Sequence, residues 1–246
     1  IKFGSGIKTI GKQAFYKNEK LKSIDLTGSN LTLIDTGAFQ NCISLIEINL
    51  SGNNLVIESS AFYDDKYLKN VTFGAGIKSI GSNAFYNCLS ISELNFFDGL
   101  DRIYSDAFRN CKSISLVTLP NTLSSIGNSA FYNCERITSV HIPDKVTEIQ
   151  GGCFTNCHLL KKVTIGSGCT SISPTAFTGA NSIEEIIVEE DNKKYTSVDG
   201  VLYNNDKTTL VLYPKGRRGN FTIPDAVTTI AERAFERCNH ITGVVI

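Results

Sequence analysis

A phenylalanine returns along this chain at nearly fixed intervals. Phe15, Phe39, Phe62, Phe85, Phe108, Phe131, Phe154, Phe177 and Phe235 are separated by 24 residues, then by 23 six times, then by 58. The surroundings repeat with it. Five residues before each phenylalanine stands isoleucine, from Ile10 through Ile230, and the residue just before is alanine in eight copies and Cys153 in the other. Leucine or isoleucine follows at six residues, and an aliphatic residue at nine (Ile24, Ile48, Val71, Leu94, Val117, Val140, Val163, Ile186 and Val244). A unit of this size cannot bury its own Ile, Ala, Phe, Leu and Val. Stacked copies can, so the period predicts a solenoid with one continuous interior.

Within the unit, the segment L-x-x-V-x-I ends in strict apolar/polar alternation, the signature of a half-buried strand. A second short extended piece ends at the isoleucine. Around Ala-Phe the apolar spacings of one, three and four predict one short helical turn. Thr36, Ser59, Ser82, Ser105 and Asn128 stand three residues before their phenylalanines as its N-caps, and Pro174 as a first-turn proline. Neighbouring strands would run parallel, roughly 4.8 Å apart.

The combination Ile80-Gly81-Ser82-Asn83-Ala84-Phe85-Tyr86-Asn87-Cys88, repeated as Ile126-Gly127-Asn128-Ser129-Ala130-Phe131-Tyr132-Asn133-Cys134, resembles the BspA-like class of leucine-rich repeats across essentially the whole chain. The resemblance implies a right-handed α/β solenoid of nine to ten 23-residue coils, with a parallel β-sheet on one side and short helical turns on the other. It also implies surface or secreted proteins of host-associated bacteria, several of them adhesins.

The chain of 246 residues is expected to form a single leucine-rich-repeat domain over 1–246. It opens on Ile1-Lys2-Phe3-Gly4-Ser5-Gly6-Ile7-Lys8, a near copy of Val71 to Lys78, and ends in the same strand phase at Val244-Val245-Ile246. That register reads as a piece of a longer array. Twenty-four acids balance 24 bases, so there is no basic surplus to favour nucleic acid or an anionic bilayer. No run of eighteen apolar residues offers direct membrane insertion.

Between Phe177 and Phe235 the period grows by 35 residues. Tyr195-Thr196-Ser197-Val198 and Val201-Leu202-Tyr203 flank Asp199-Gly200, a two-residue hairpin turn signal, and Thr209 to Tyr213 reads as a further strand. The segment 189–223 is therefore a β-hairpin insertion. Its basic turn supplies Lys215, Arg217 and Arg218 as an alternative contact arm for an acidic partner; the plainer reading is a flap that pads the coil stack.

Six of the eight cysteines (Cys42, Cys88, Cys111, Cys134, Cys157 and Cys238) fall three residues after a phenylalanine. Equivalent interior positions favour small buried thiols over a disulfide framework, although neighbouring coils could bring two sulfurs within bonding reach. Cys153 to Cys157 lacks the spacing of a zinc knuckle. The three histidines, His141, His158 and His240, form no metal-ligating pattern. With no nucleophile elbow, phosphate loop or dinucleotide fingerprint, neither a catalytic group nor a cofactor is implied.

What remains is the sheet face. Residues eight and ten after each phenylalanine point away from the core. They give Asp25, Glu47, Asn49, Thr72, Glu93, Asn95, Thr118, His141 and Thr164 as candidate ligand-binding residues on a concave surface. The expected function is a non-catalytic adhesin or host-interaction module, with an extracellular or host protein as partner. A structural spacer and a carbohydrate or cell-wall binder are the alternatives. The last wants exposed aromatic platforms, of which the sheet face offers only Phe97.

Overall fold

The structure is a computed structural model and describes residues 1–26, 28–50 and 54–246. The chain winds as a parallel solenoid of leucine-rich-repeat coils. The alternating strands lie where the pattern places them: Ser23–Ile24, Glu47–Leu50, Asn70–Phe73, Glu93–Asn95, Leu116–Thr118, Ser139–Ile142, Lys162–Ile165 and Glu185–Val188. They pair in parallel at a register of one coil, for example Glu47 with Asn70 and Lys162 with Glu185. A second parallel ladder is built from the short pieces that end at the isoleucine, from Thr9–Ile10 to Ser125–Ile126, in uninterrupted coil order.

The interior is a column of aromatic rings. Phe15, Phe39, Phe62, Phe85, Phe108, Phe131, Phe154 and Phe177 stack face to face, with centroids 4.9 to 5.7 Å apart and planes within 3 to 12° of parallel. Strand spacing sets this separation, which is also the range in which offset aromatic pairs attract. The rings between the end coils are sealed from solvent, as are the alanines and the aliphatic side chains around them.

No helix lies on the far side of the coils among the described residues. The expected helical turns are β-turns instead, and the reason lies in the backbone. The residues two before and two after each ring repeatedly take positive φ: Gly37 and Asn41, Ser60 and Asp64, Asn83 and Asn87, Asp106 and Asn110, Ser129 and Asn133, Gly152 and Asn156. A left-handed residue every fourth position breaks a helix, and Asn, Asp and Gly tolerate it best. The amide groups then alternate in direction. Those of Gly37, Phe39 and Asn41 donate to Ser59, Ala61 and Tyr63 of the next coil, at 2.8 to 3.0 Å, while those of Ala38, Gln40 and Cys42 close turns within their own coil. The residues read as N-caps serve differently. The carbonyls of Ser59, Ser82, Ser105 and Asn128 accept the amide of the coil before.

All eight cysteines are free and buried. In successive coils the thiol donates to the carbonyl of the preceding ring residue: Cys42 to Phe15, Cys88 to Phe62, Cys111 to Phe85, Cys134 to Phe108 and Cys157 to Phe131, at 3.0 to 3.3 Å. Burial holds these thiols in the neutral form, pushing Cys42 up to about 12 and Cys88, Cys111, Cys134 and Cys157 well above the usual thiol range.

The hairpin turns on Asp199 and Gly200, both at positive φ, and joins Tyr195–Val198 to Val201–Asn204 antiparallel. The next strand, Thr209–Leu212, is antiparallel to the hairpin but parallel to Thr229–Ile230, so it returns the chain to the solenoid. Tyr213 then takes the place of a ring residue. It stacks on Phe235 at 5.1 Å, its amide donates to the Ala234 carbonyl, and its own carbonyl accepts from the Cys238 thiol. The insertion therefore pads and rebuilds the stack.

Two outcomes follow from this core. Phe108→Ala removes a ring covered on both faces and should cost about 3–5 kcal/mol, with amide exchange in the coils of Phe85 and Phe131 accelerating more than in the end coils. Exchange confined to the substituted coil would contradict the shared column. Thiol titration at neutral pH should find the cysteines unreactive until denaturant is added; ready reaction of several thiols in the folded protein would be the opposing result.

Candidate functional site

The alternating strands turn one residue inward and the next outward, so the exposed face carries two columns. Ser23, Glu47 and Asn70 pair side by side in one, as do Ser139, Lys162 and Glu185; Asn49 pairs with Thr72, Asn95 with Thr118, and His141 with Thr164 in the other. The nine sequence-predicted residues thus all lie on one surface, but they gather unevenly. Asp25, Glu47, Asn49 and Thr72 border one depression of about 220 Å³, and Thr118 and His141 border another of about 390 Å³. Glu93 and Asn95 stand between the two, and Thr164 sits one rung beyond His141.

Charge on this face is partly spent. Lys2 lies 3.7 Å from Asp25 and Lys162 lies 3.1 Å from Glu185. Glu47 and Glu93 carry no ion pair among the described residues. The Thr118 hydroxyl faces the Asn95 amide oxygen at 3.4 Å.

The alternative basic arm is not presented as a unit. Lys215 is buried at 3% exposure, where its ammonium group lies 3.4 Å from both the Phe177 carbonyl and the Glu236 carboxylate. It occupies the role that a thiol plays in other coils, donating to a ring residue's carbonyl. The adjoining cavity, about 110 Å³ and lined by Phe177, Val211 and Leu212 among others, marks the break in the ring column. Arg217 is half-buried and bonds the Asp199 carbonyl, which leaves Arg218 as the exposed member.

The turn side holds two ladders that the periodic apolar pattern does not reveal. Asn87 donates to Asp64 at 2.7 Å, then Asn110 to Asn87, Asn133 to Asn110 and Asn156 to Asn133, each at 2.8 Å. The ladder begins at a carboxylate, which has no N–H to pass on. It ends at Gly179, where a Cβ would come within 2.2 Å of the Asn156 amide oxygen. Beside it, Tyr63 stacks on Tyr86 at 4.9 Å, and the Arg109 guanidinium sits between Tyr86 and Tyr132 at 6.0 and 4.1 Å from their centroids. Reading the column one residue after each ring would have shown this strip in the sequence.

Among the described residues no group of three or more His, Cys, Asp or Glu side chains is placed to hold a metal ion, and no helix is long and apolar enough to cross a membrane. The sequence model of the BspA type leucine rich repeat region matches residues 1–115, 78–209 and 213–246. The chain belongs to the BspA-type leucine-rich repeat family. Its fold is similar to that of a leucine-rich repeat protein from Eubacterium ventriosum, at 25% identity and a TM-score of 0.68, over 81% of this chain and 55% of that one. A leucine rich cell surface protein from Faecalibacterium prausnitzii (24% identity, TM-score 0.56, 82% and 61%) and the leucine rich repeat protein of T. pallidum (24%, 0.59, 71% and 82%) share the fold. The chain thus spans 55% and 61% of the first two structures. None of the curated proteins matches it.

One BspA-type rung departs from the thiol row in a way that carries chemistry. Asp65 occupies the cysteine slot of the Phe62 coil, wholly buried between Cys42 and Cys88 in the neighbouring coils. One carboxyl oxygen accepts the Cys42 amide at 2.7 Å, and the other has no partner among the described residues. Burial pushes the carboxyl up to about 8, against the lowering effect of the Cys42 amide and with a smaller upward push from Asp64. The folded state therefore holds a proton that the unfolded chain releases near pH 3.9. Stability contributed by the protonated form is complete below that value and falls as pH rises toward 8. Asp65→Cys restores the common rung. It should raise stability at pH 7 and flatten the decline in urea midpoint between pH 5 and pH 7, where unfolded thiols, with a pKa of about 8.5, remain neutral. An unchanged slope in the variant would assign the pH dependence elsewhere.

Proposed function

We propose that this chain is a non-catalytic protein-binding array that offers its sheet face to an extended segment of an extracellular or host protein, as a surface or secreted adhesin. The observation that carries the reading is the sheet face itself. Two columns of mostly polar side chains run across the coils, interrupted by Leu116 and Ile187, with Glu47 and Glu93 two rungs apart and free of ion pairs among the described residues. Repeat arrays use such continuous surfaces to bind extended partners. Exposed carboxylates that are not consumed internally are available to steer a basic partner and fix its register. The compartment is carried over from the Faecalibacterium prausnitzii neighbour, which is described as a cell surface protein.

A carbohydrate-binding role would draw on the turn-side tyrosines. One face of each is already covered, Tyr63 by Tyr86 and Tyr132 by Arg109, which favours a structural use of that strip over a sugar platform. A passive spacer needs no unpaired charge on the face and predicts no specific capture.

Immobilised protein should capture a component of host extracellular matrix. Replacing Asp25, Glu47 and Glu93 together by alanine should weaken that capture about tenfold or more, with a steeper loss at low than at high salt. Capture unaffected by the triple substitution would move the site off the sheet face, and no capture at all from matrix or serum would favour the spacer.

A further inference from the structure

The corner between the turn side and the sheet is polar over most of the array. Four, five and seven residues after the ring it carries Lys112, Ser113 and Ser115 in one coil and Asn181, Ser182 and Glu184 in another, with Leu89 and exposed Leu159 as single apolar exceptions. Coils two and three differ by clustering theirs. Ile43, Ile46 and Tyr67 are exposed at 39%, 46% and 66%, and together with Lys22 and Lys69 they border an open depression of about 480 Å³. A volume of this size accommodates one or two apolar side chains, and exposed apolar patches of this kind on a soluble surface mark interaction sites.

The charge around the depression has one sign. In the first three coils the segment from four to seven residues after the ring carries Lys20, Lys22, Lys66 and Lys69 against a single carboxylate, Glu19. Among the described residues none of these lysines makes an ion pair. The spacing is ordered as well. Lys22, Ile46 and Lys69 stand on consecutive rungs, tied through backbone bonds from the Ile46 amide to Lys22 and from the Lys69 amide to Ile46, at 2.9 and 2.8 Å. The backbones of the two lysines therefore sit two rungs apart, roughly 10 Å, with the isoleucine between them.

We infer that this corner is a second docking surface, separate from the sheet face, for an acidic protein segment that inserts an apolar side chain between two carboxylates. Three residues of extended chain span about 10 Å. Acids flanking an aliphatic or aromatic anchor on such a segment reach Lys22 and Lys69 while the anchor enters beside Ile43, Ile46 and Tyr67. A concave, side-chain-sized depression suits a peptide better than the flat headgroup layer of a bilayer, which would contact the lysines and leave the depression unfilled.

The test is selection of a randomised twelve-residue peptide library on the intact protein. Enriched peptides should carry two or more Asp or Glu around a Leu, Ile, Phe or Tyr. Their binding should fall about tenfold or more in the Lys22→Glu/Lys69→Glu variant and likewise in Tyr67→Ala, while the sheet-face triple variant binds them unchanged. These positions are exposed, so circular dichroism should show the fold retained. Enrichment of neutral or basic sequences, no enrichment, or equal binding by the charge-reversal variant would overturn the proposal. Binding to phosphatidylserine vesicles that needs the lysines but not Tyr67 would replace it with a membrane contact. Because the two sets of substitutions share no residue, this surface and the sheet face fail independently.

Discussion

Each ring from Phe39 to Phe154 has both faces covered by rings that belong to other coils. That condition governs the rest of the structure. A lone coil would leave a benzyl group, an alanine and two or three branched aliphatic residues in water, and burying one such side chain is worth about 1.5–3 kcal/mol. Order is therefore collective. The 24-residue step from Phe15 to Phe39 still leaves the two rings stacked at 5.1 Å, so one extra residue is absorbed at the coil surface. The large change in spacing, after Phe177, is the place where the column breaks and a 110 Å³ cavity opens. The chain repairs the break with a tyrosine, Tyr213, in a ring position, and with a buried lysine, Lys215, that donates to the Phe177 carbonyl as thiols do to ring residues elsewhere.

A stack that close creates a polar problem along with the apolar gain. Every coil brings backbone amides and carbonyls into the interior, and a buried group without a partner costs 1–3 kcal/mol. The solution is a set of ladders running along the same axis as the rings. Alternate amides of the turn segment point to the next coil, thiols reach back to the carbonyl of the preceding ring residue, and the asparagine side chains chain one to the next. Each ladder persists only while the residue type repeats, so its ends report the exceptions. Asp64 starts one because a carboxylate cannot donate, Gly179 ends it, and Asp65 interrupts the thiol row with a carboxyl oxygen that has no partner among the described residues.

The apolar half of this design was legible in the sequence. The strands, the buried phenylalanines, the interior cysteines and the Asp199-Gly200 hairpin all follow from spacing and period, since burial leaves few residue types at each position. The turn side was harder. Apolar residues one, three and four apart suit a single helical turn and two successive β-turns equally. What separates them is the pair of left-handed residues, such as Asn83 and Asn87, whose Asn and Asp enrichment is a local backbone requirement that an apolar count overlooks. Lys215 was misplaced for a different reason. It lies in the non-repeating insertion beside Gly216, Arg217 and Arg218, where composition suggests an exposed loop and only the three-dimensional neighbour Glu236 explains its burial.

The same reasoning locates functional information. Positions that keep the stack together are set by the fold and say nothing about a partner, which is why Phe, Ala, Cys and Asn recur with so little variation. A ligand is read in the positions that the stack leaves free, and there only departures from the column average are informative. The sheet face departs weakly: its columns are mostly polar, interrupted by Leu116 and Ile187, and its distinguishing mark is two carboxylates without ion pairs among the described residues. The corner departs strongly, because exposed Ile43, Ile46 and Tyr67 cluster on adjacent rungs where most coils carry polar residues, and Lys22 and Lys69 border them. An exposed isoleucine adds nothing to the ring column and costs solubility, so a cluster of such residues bordered by one sign of charge is better accounted for by a partner than by the fold.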